Sequence, residues 1–210
     1  MRMLFPDRID PLTKVLQVLY TPPVLLPLLI VISHAWLYLV HGIRGSLQAT
    51  LSSPGLLLLV LALILASSIF HEVGHAAGLR YNGGQVRGIG VGLYLYYPML
   101  YTDTTDSYRL GRCARVRTSL GGFYFHLVFT LGIIAAYLVF RQEFLLVVVF
   151  LINLDILFQC LPFVRFDGYW ALADLAGIPD FFSQMGAFVL SVVPIPAWKG
   201  NKLPKLKPWV

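Results

Sequence analysis

Two histidines four residues apart, with a glutamate directly after the first, are the densest concentration of reactive side chains in the chain: His71-Glu72-Val73-Gly74-His75. On a helix, residues four apart share a face one turn apart. Both imidazoles then reach one metal ion while the Glu72 carboxylate stands beside them, facing water at the metal. Catalytic zinc takes three protein ligands and keeps one position open. The spacing therefore predicts hydrolytic chemistry on one Zn²⁺ per chain, with a third ligand from elsewhere in the sequence.

The elements that must position this motif read as membrane helices. Of 210 residues, 58% are hydrophobic and 12% charged, with a mean hydropathy of +0.75, which is too little polar surface to coat a soluble globule. Apolar runs from Val24 to Val40, Leu56 to about Leu79, Leu120 to Phe140 and Phe144 to Leu161 are each close to the length of a membrane-spanning helix. A fifth, from Phe181 to about Pro196, ends in Val-Val-Pro-Ile-Pro and is short enough to span, re-enter or lie in the interface. The fold class expected is an all-α polytopic membrane protein with four to five, at most six, transmembrane or re-entrant helices, forming one domain over 1–210. Between the second and third helices, Gln85 to Asp103 mixes Gly88, Gly90 and Gly92 with aromatic and β-branched residues and predicts a short β-hairpin at the membrane surface. Its edge could hold a peptide as an added strand, or it could be a connector carrying interfacial tyrosines.

Charge places these helices. The N-terminus, the loop from Arg80 to Thr118 and the segment after Leu161 together carry ten Lys and Arg, against Arg44 and Arg141 on the other side before the tail, so the first side is expected to be cytoplasmic. With no small-residue cleavage site after it, the first apolar run reads as a retained anchor. The net charge of +6 reads as juxtamembrane Lys and Arg against anionic lipid; no nucleic-acid-binding module is recognisable, and none is expected as a partner. Cys113 and Cys160 lack the C-x-x-C spacing of a cysteine metal site and are not expected to form a disulfide.

The third ligand should be a carboxylate near a helix end, because ionisable groups at membrane depth are costly and usually functional. The candidates are Asp103, Asp106, Glu143, Asp155 and Asp167. If the second and fourth helices run in the same direction, Asp167, just past the fourth, lies at the level of the histidines and is the best placed. His126 is a candidate to touch water or substrate at the site, while His34 reads as an interfacial contact. Asn153 and Asp155 read as interhelical hydrogen-bonding groups, and Asp174 as a cap on the turn at Gly177. Gly121-Gly122 serve either a water path or close helix packing.

With these residues in place, the chain resembles the site-2 protease family of intramembrane zinc metalloproteases. That family's second motif, Asn-Pro-x-Pro-x-x-x-Leu-Asp-Gly, is similar to Gln159-Cys160-Leu161-Pro162-Phe163-Val164-Arg165-Phe166-Asp167-Gly168. Its second Pro, its Asp and its Gly match in register, whereas Gln159, Cys160 and Phe166 depart from it. The continuation through Tyr169-Trp170-Ala171-Leu172-Ala173-Asp174-Leu175 resembles the peptide zinc metalloprotease branch, and the resemblance covers about Leu56 to Asp180.

The resemblance implies that His71, His75 and Asp167 hold zinc and that Glu72 is the general base and then the general acid. It implies a weaker role for Gln159 as a donor to the substrate backbone. The function expected is hydrolysis of a peptide bond in a membrane-associated peptide or transmembrane segment, such as a ribosomally made peptide under maturation. The substrate would be loosened by Gly, Pro or Asn near the cut. The enzyme would sit in a bacterial cell membrane with its site toward the cytoplasm, alongside peptide-export or peptide-modification partners and without an accessory peptide-binding domain. The alternative is a non-proteolytic scaffold of the same kind, acting in peptide binding, export or immunity. A metal transporter would instead line acidic and His residues along several helices.

Overall fold

A computed structural model describes residues 2–4, 6–25, 43–94, 97–161 and 164–177. Most of the first apolar run, with His34, and the whole of the fifth lie outside the described residues.

The motif helix is the longest element among the described residues. α3 (Pro54–Tyr81) has 28 residues, about 42 Å at 1.5 Å per residue. Ser53 precedes it in extended conformation and Pro54 opens it, where the missing N–H costs nothing. It ends at Asn82, after which Gly83 takes φ +83° and Gly84 N–H donates to the Leu79 carbonyl, a left-handed stop that favours glycine. Burial divides this helix in two. Leu58, Leu61 and Leu65 in its first half are exposed, whereas every residue from His71 to Leu79 is buried.

The other helices pack around α3. After α1 (Pro6–Leu16), a 3₁₀ turn (Gln17–Tyr20) and α2 (Ile43–Leu51), the chain forms α3, then the short α4 (Arg112–Ser119) and α5 (Gly121–Phe140). α6 (Phe144–Gln159) and α7 (Asp167–Ala176) follow. Val60 of α3 shares a core with Ile133 of α5 and with Leu145, Val149 and Ile152 of α6. At the other end, Val73, Ala76, Ala77 and Leu79 pack with Tyr124 and Phe125 of α5 and with Ile9 and Tyr20. Hence α5 runs antiparallel to α3, and α6 runs back alongside it.

Among the described residues, two stretches are long and apolar enough to cross a membrane: Pro54–Tyr81 and Arg112–Phe140; Phe144–Gln159 is a shorter apolar helix.

The expected hairpin is present and gains a partner. β2 (Ile89–Tyr94) and β3 (Tyr97–Thr102) pair antiparallel with Ile89 opposite Thr102 and Val91 opposite Leu100. β1 (Arg2–Leu4) adds to the other side of β2, giving the order β1-β2-β3. The fold is thus mostly helical with one small sheet, and the three N-terminal residues add to the expected hairpin by covering the free edge of β2. Among the described residues β3 is an edge strand, where Pro98 costs no ladder hydrogen bond.

Candidate metal centre

The site is built where α3 and α5 touch backbone to backbone. Gly74 of α3 faces Gly121 of α5 so closely that a Cβ at Gly121 would lie 2.6 Å from the Gly74 carbonyl oxygen. Tyr20 locks the crossing, its hydroxyl donating to the same carbonyl at 2.8 Å. Gly122, the next residue of α5, then lies against the imidazoles of His71 and His75.

One helical turn apart on α3, the two histidines present Nε2 to a common point, 3.0 Å from one another. α7 begins at Asp167, and Asp167 Oδ2 stands 2.8 Å from His71 Nε2 and 3.0 Å from His75 Nε2. Among the described residues, this is the group of side chains whose ligand atoms converge tightly enough to hold a metal ion. Gly168 allows it: a Cβ there would sit 2.7 Å from the Gln159 carbonyl, so α7 is tucked against the end of α6. Burial opposes ionisation of Asp167, but the His75 and His71 rings beside it hold its carboxyl well below the usual carboxylate range.

The donor set suits zinc. Two neutral imidazole nitrogens and one carboxylate oxygen match a catalytic zinc site with one open position. Ligands of tetrahedral zinc at about 2.0–2.1 Å lie about 3.4 Å apart, so an ion enters on an outward shift of about half an ångström. The second nitrogen of each ring is also engaged. His75 Nδ1 donates to the Thr118 carbonyl at 2.8 Å, and His71 Nδ1 lies 3.3 Å from His126 Nδ1. Metal-bound histidines usually make such an outer hydrogen bond.

The chain is distantly similar to a protein named as a zinc metalloprotease. That protein, YydH of Bacillus subtilis (strain 168), carries the provisional name of a peptide zinc metalloprotease; the two are 24% identical over 127 residues, 59% of this chain and 50% of YydH. The chain therefore spans about half the length of the curated relative it matches. No model of a known family matches the chain, and no solved structure matches it.

Glu72 is buried beside the histidines. The Thr102 hydroxyl, at the end of β3, lies 2.7 Å from Glu72 Oε2 and 2.9 Å from the Glu72 carbonyl, a donor for one or the other. His71, Glu72, His75 and Asp167 line one cavity of about 540 Å³, walled by β3 from Pro98 to Thr102, by Asp155, Phe158 and Gln159 of α6, and by Trp170 of α7.

Gln159 and His126 both reach this cavity, each already engaged. Gln159 Nε2 donates to Asp155 Oδ2 at 2.7 Å. His126 is 2% exposed and packs on His71 with ring centroids 4.4 Å apart. Of the other carboxylates considered, Asp103 accepts from Thr105 and Asp106 from Gln85 N–H and Arg109. Glu143 accepts from Ser46 at the far end of the bundle. Asp174 pairs with Arg115 at 2.6 Å, tying α7 to α4. Sequence reasoning did not single out Thr102, Tyr20 or Arg115, which act across 30 to 59 residues of chain; nothing in their local sequence marks them.

Proposed function

We propose that this chain is a zinc-dependent endopeptidase of the site-2 protease kind, hydrolysing a peptide bond in a membrane-associated peptide or transmembrane segment. The observation that carries the proposal is the convergence of His71, His75 and Asp167 with Glu72 on one cavity. The distant likeness to a named zinc metalloprotease supports it. In this reading the protein is integral to a bacterial cell membrane and the cavity faces the cytoplasmic side.

His71, His75 and Asp167 would hold the ion, which when bound supplies Lewis acidity toward water and toward the scissile carbonyl. The Glu72 carboxylate takes the proton of the attacking water and hands it to the leaving amine nitrogen, so the C–N bond breaks without expelling an amide anion. Thr102 orients that carboxylate. The edge of β3, lying along the cavity, offers backbone groups to which an extended peptide can add as a strand. A helical substrate must unwind before it fits such an edge, which favours Gly, Pro or Asn near the cut. Peptide-export or peptide-modification proteins are the partners this role would bring.

The test is metal content of the protein purified in detergent. About one zinc per chain is expected in wild type and in Glu72→Ala, and loss of it in His71→Ala and Asp167→Ala. The Glu72→Ala protein should then retain uncleaved substrate. Absence of zinc from wild type under metal-replete conditions would overturn the proposal and leave the non-proteolytic peptide-binding scaffold in its place.

A further inference from the structure

His71 directs Nε2 into the candidate metal site, since that atom is 2.8 Å from Asp167 Oδ2 and 3.0 Å from His75 Nε2. A neutral imidazole that gives one nitrogen lone pair to a cation keeps its hydrogen on the other. For His75 that hydrogen goes to the Thr118 carbonyl. For His71 the facing atom is Nδ1 of His126, 3.3 Å away, with the rings inclined at 49°. A nitrogen that faces an N–H must be an acceptor, so with a cation on His71 Nε2 the His126 ring presents its Nδ1 lone pair to His71. Asp155 Oδ2, at 3.8 Å from His126 Nδ1, is beyond hydrogen-bond reach.

We propose that His126 is a positioning residue of this centre. It accepts the Nδ1 hydrogen of His71 and thereby fixes which His71 nitrogen is free for metal and where that ring points. The inference rests on the metalloprotease reading and adds to it a neutral imidazole on α5 as the outer partner of one ligand. The motif helix and α5 therefore meet in one histidine pair, an arrangement that neither helix could make alone.

The test is zinc affinity by chelator competition on the full chain in detergent, for wild type, His126→Asn and His126→Leu. Asparagine can place an amide oxygen close to where Nδ1 stands; leucine is of similar size and accepts nothing. H126L is expected to bind zinc about 10- to 100-fold more weakly, as losses of outer partners do, and H126N to stay within a few-fold of wild type. Wild-type affinity in H126L overturns the proposal, and so does an H126N loss as large as that of H126L, which would mean that only the ring's packing matters. A second measurement needs no variant. In zinc-loaded wild type with ¹⁵N-labelled histidine, a coupling across the hydrogen bond should link Nδ1 of His71 and His126; a hydrogen on His126 Nδ1 would refute the assignment. If wild type takes up no zinc, the metal reading itself fails; if it takes up zinc and H126L does so equally well, only the role of His126 fails.

Discussion

Replacing Gly122 by alanine adds one methyl group where the two imidazoles meet. The new Cβ would lie 2.6 Å from His75 Nε2 and closer still to His71 Nε2 and Cε1. Cβ atoms essentially never come within 3.0 Å of a heavy atom, and ordinary contact begins at 3.4 Å, so His75 Nε2 must retreat by about 0.4 to 0.8 Å and His71 Nε2 by more. Zinc ligands tolerate displacements of about 0.2 Å. Moving α5 away would relieve the clash, but it would also draw His126 off His71 and open the Gly74–Gly121 contact. Loss of an outer partner alone costs about 10- to 100-fold in affinity, so displacing two direct ligands should cost at least about 100-fold, or ~2.7 kcal/mol. The assay is chelator competition in detergent, with Gly132→Ala as control. Gly132 lies on the same helix with nothing within 4 Å of its would-be Cβ, and alanine improves helix propensity by up to about 1 kcal/mol. G132A should keep wild-type affinity and equal or higher stability. A folded G122A protein that binds zinc as tightly as wild type would refute the geometry on which the site is built.

Thr102→Val removes the hydroxyl from Glu72 while keeping the side chain's shape; a hydrogen bond to a charged group is worth about 1.5–3 kcal/mol, so peptide cleavage should fall roughly 10- to 100-fold with zinc content unchanged, and Thr102→Ser should recover it. Arg115→Ala breaks the 2.6 Å pair with Asp174, worth about 1 kcal/mol at this exposure, and should lower zinc affinity a few-fold by loosening the helix that starts at Asp167. Tyr20→Phe removes the hydrogen bond to the Gly74 carbonyl and should cost about 1 kcal/mol, read as a lower denaturation midpoint in detergent. The pH dependence of that last effect has a sign. Burial pushes the Tyr20 phenol above its ordinary value of 10.0, so its contribution is complete below pH 10 and shrinks above it as the unfolded chain ionises; the gap between wild type and Y20F should narrow only there.

The helices were legible because their causes are local. The run read as Leu56 to Leu79 is the helix Pro54–Tyr81, that read as Leu120 to Phe140 is Gly121–Phe140, and that read as Phe144 to Leu161 is Phe144–Gln159. Proline, glycine and an abrupt loss of hydrophobicity mark these ends in the sequence itself. The convergence of His71, His75 and Asp167 was legible for a different reason: helix spacing fixes the first two, and the matching direction of α3 and α6 brings the third to their level. The third strand was not legible, because three residues at the N-terminus carry no period of their own and pair only once β2 exists. Nor was the duty of Gly122. Packing and a water path were the roles open to it, and only the crossing of α3 and α5 shows that its missing side chain is the space the imidazoles occupy.

Two readings of one scaffold, protease or idle metal site, differ in what they ask of Glu72. Retaining zinc requires His71, His75 and Asp167, the outer partners that orient the rings, and room at Gly122; it asks nothing of the glutamate between them. Yet Glu72 is buried at 8% exposure in the cavity wall, and the edge strand ends with a hydroxyl 2.7 Å from its carboxylate. An unused carboxylate in that place would be a desolvated charge with no return, the kind of group whose replacement by a neutral side chain stabilises a fold. Glu72→Gln therefore separates the readings when stability and peptide cleavage are measured together on the zinc-loaded protein, because only a working base has cleavage to lose. An idle site predicts a zinc-loaded protein as stable as wild type or more so, with Thr102→Val neutral beside it. A working general base predicts a zinc-loaded protein that gains stability and loses cleavage together, since the cost of burying Glu72 is then maintained for its chemistry.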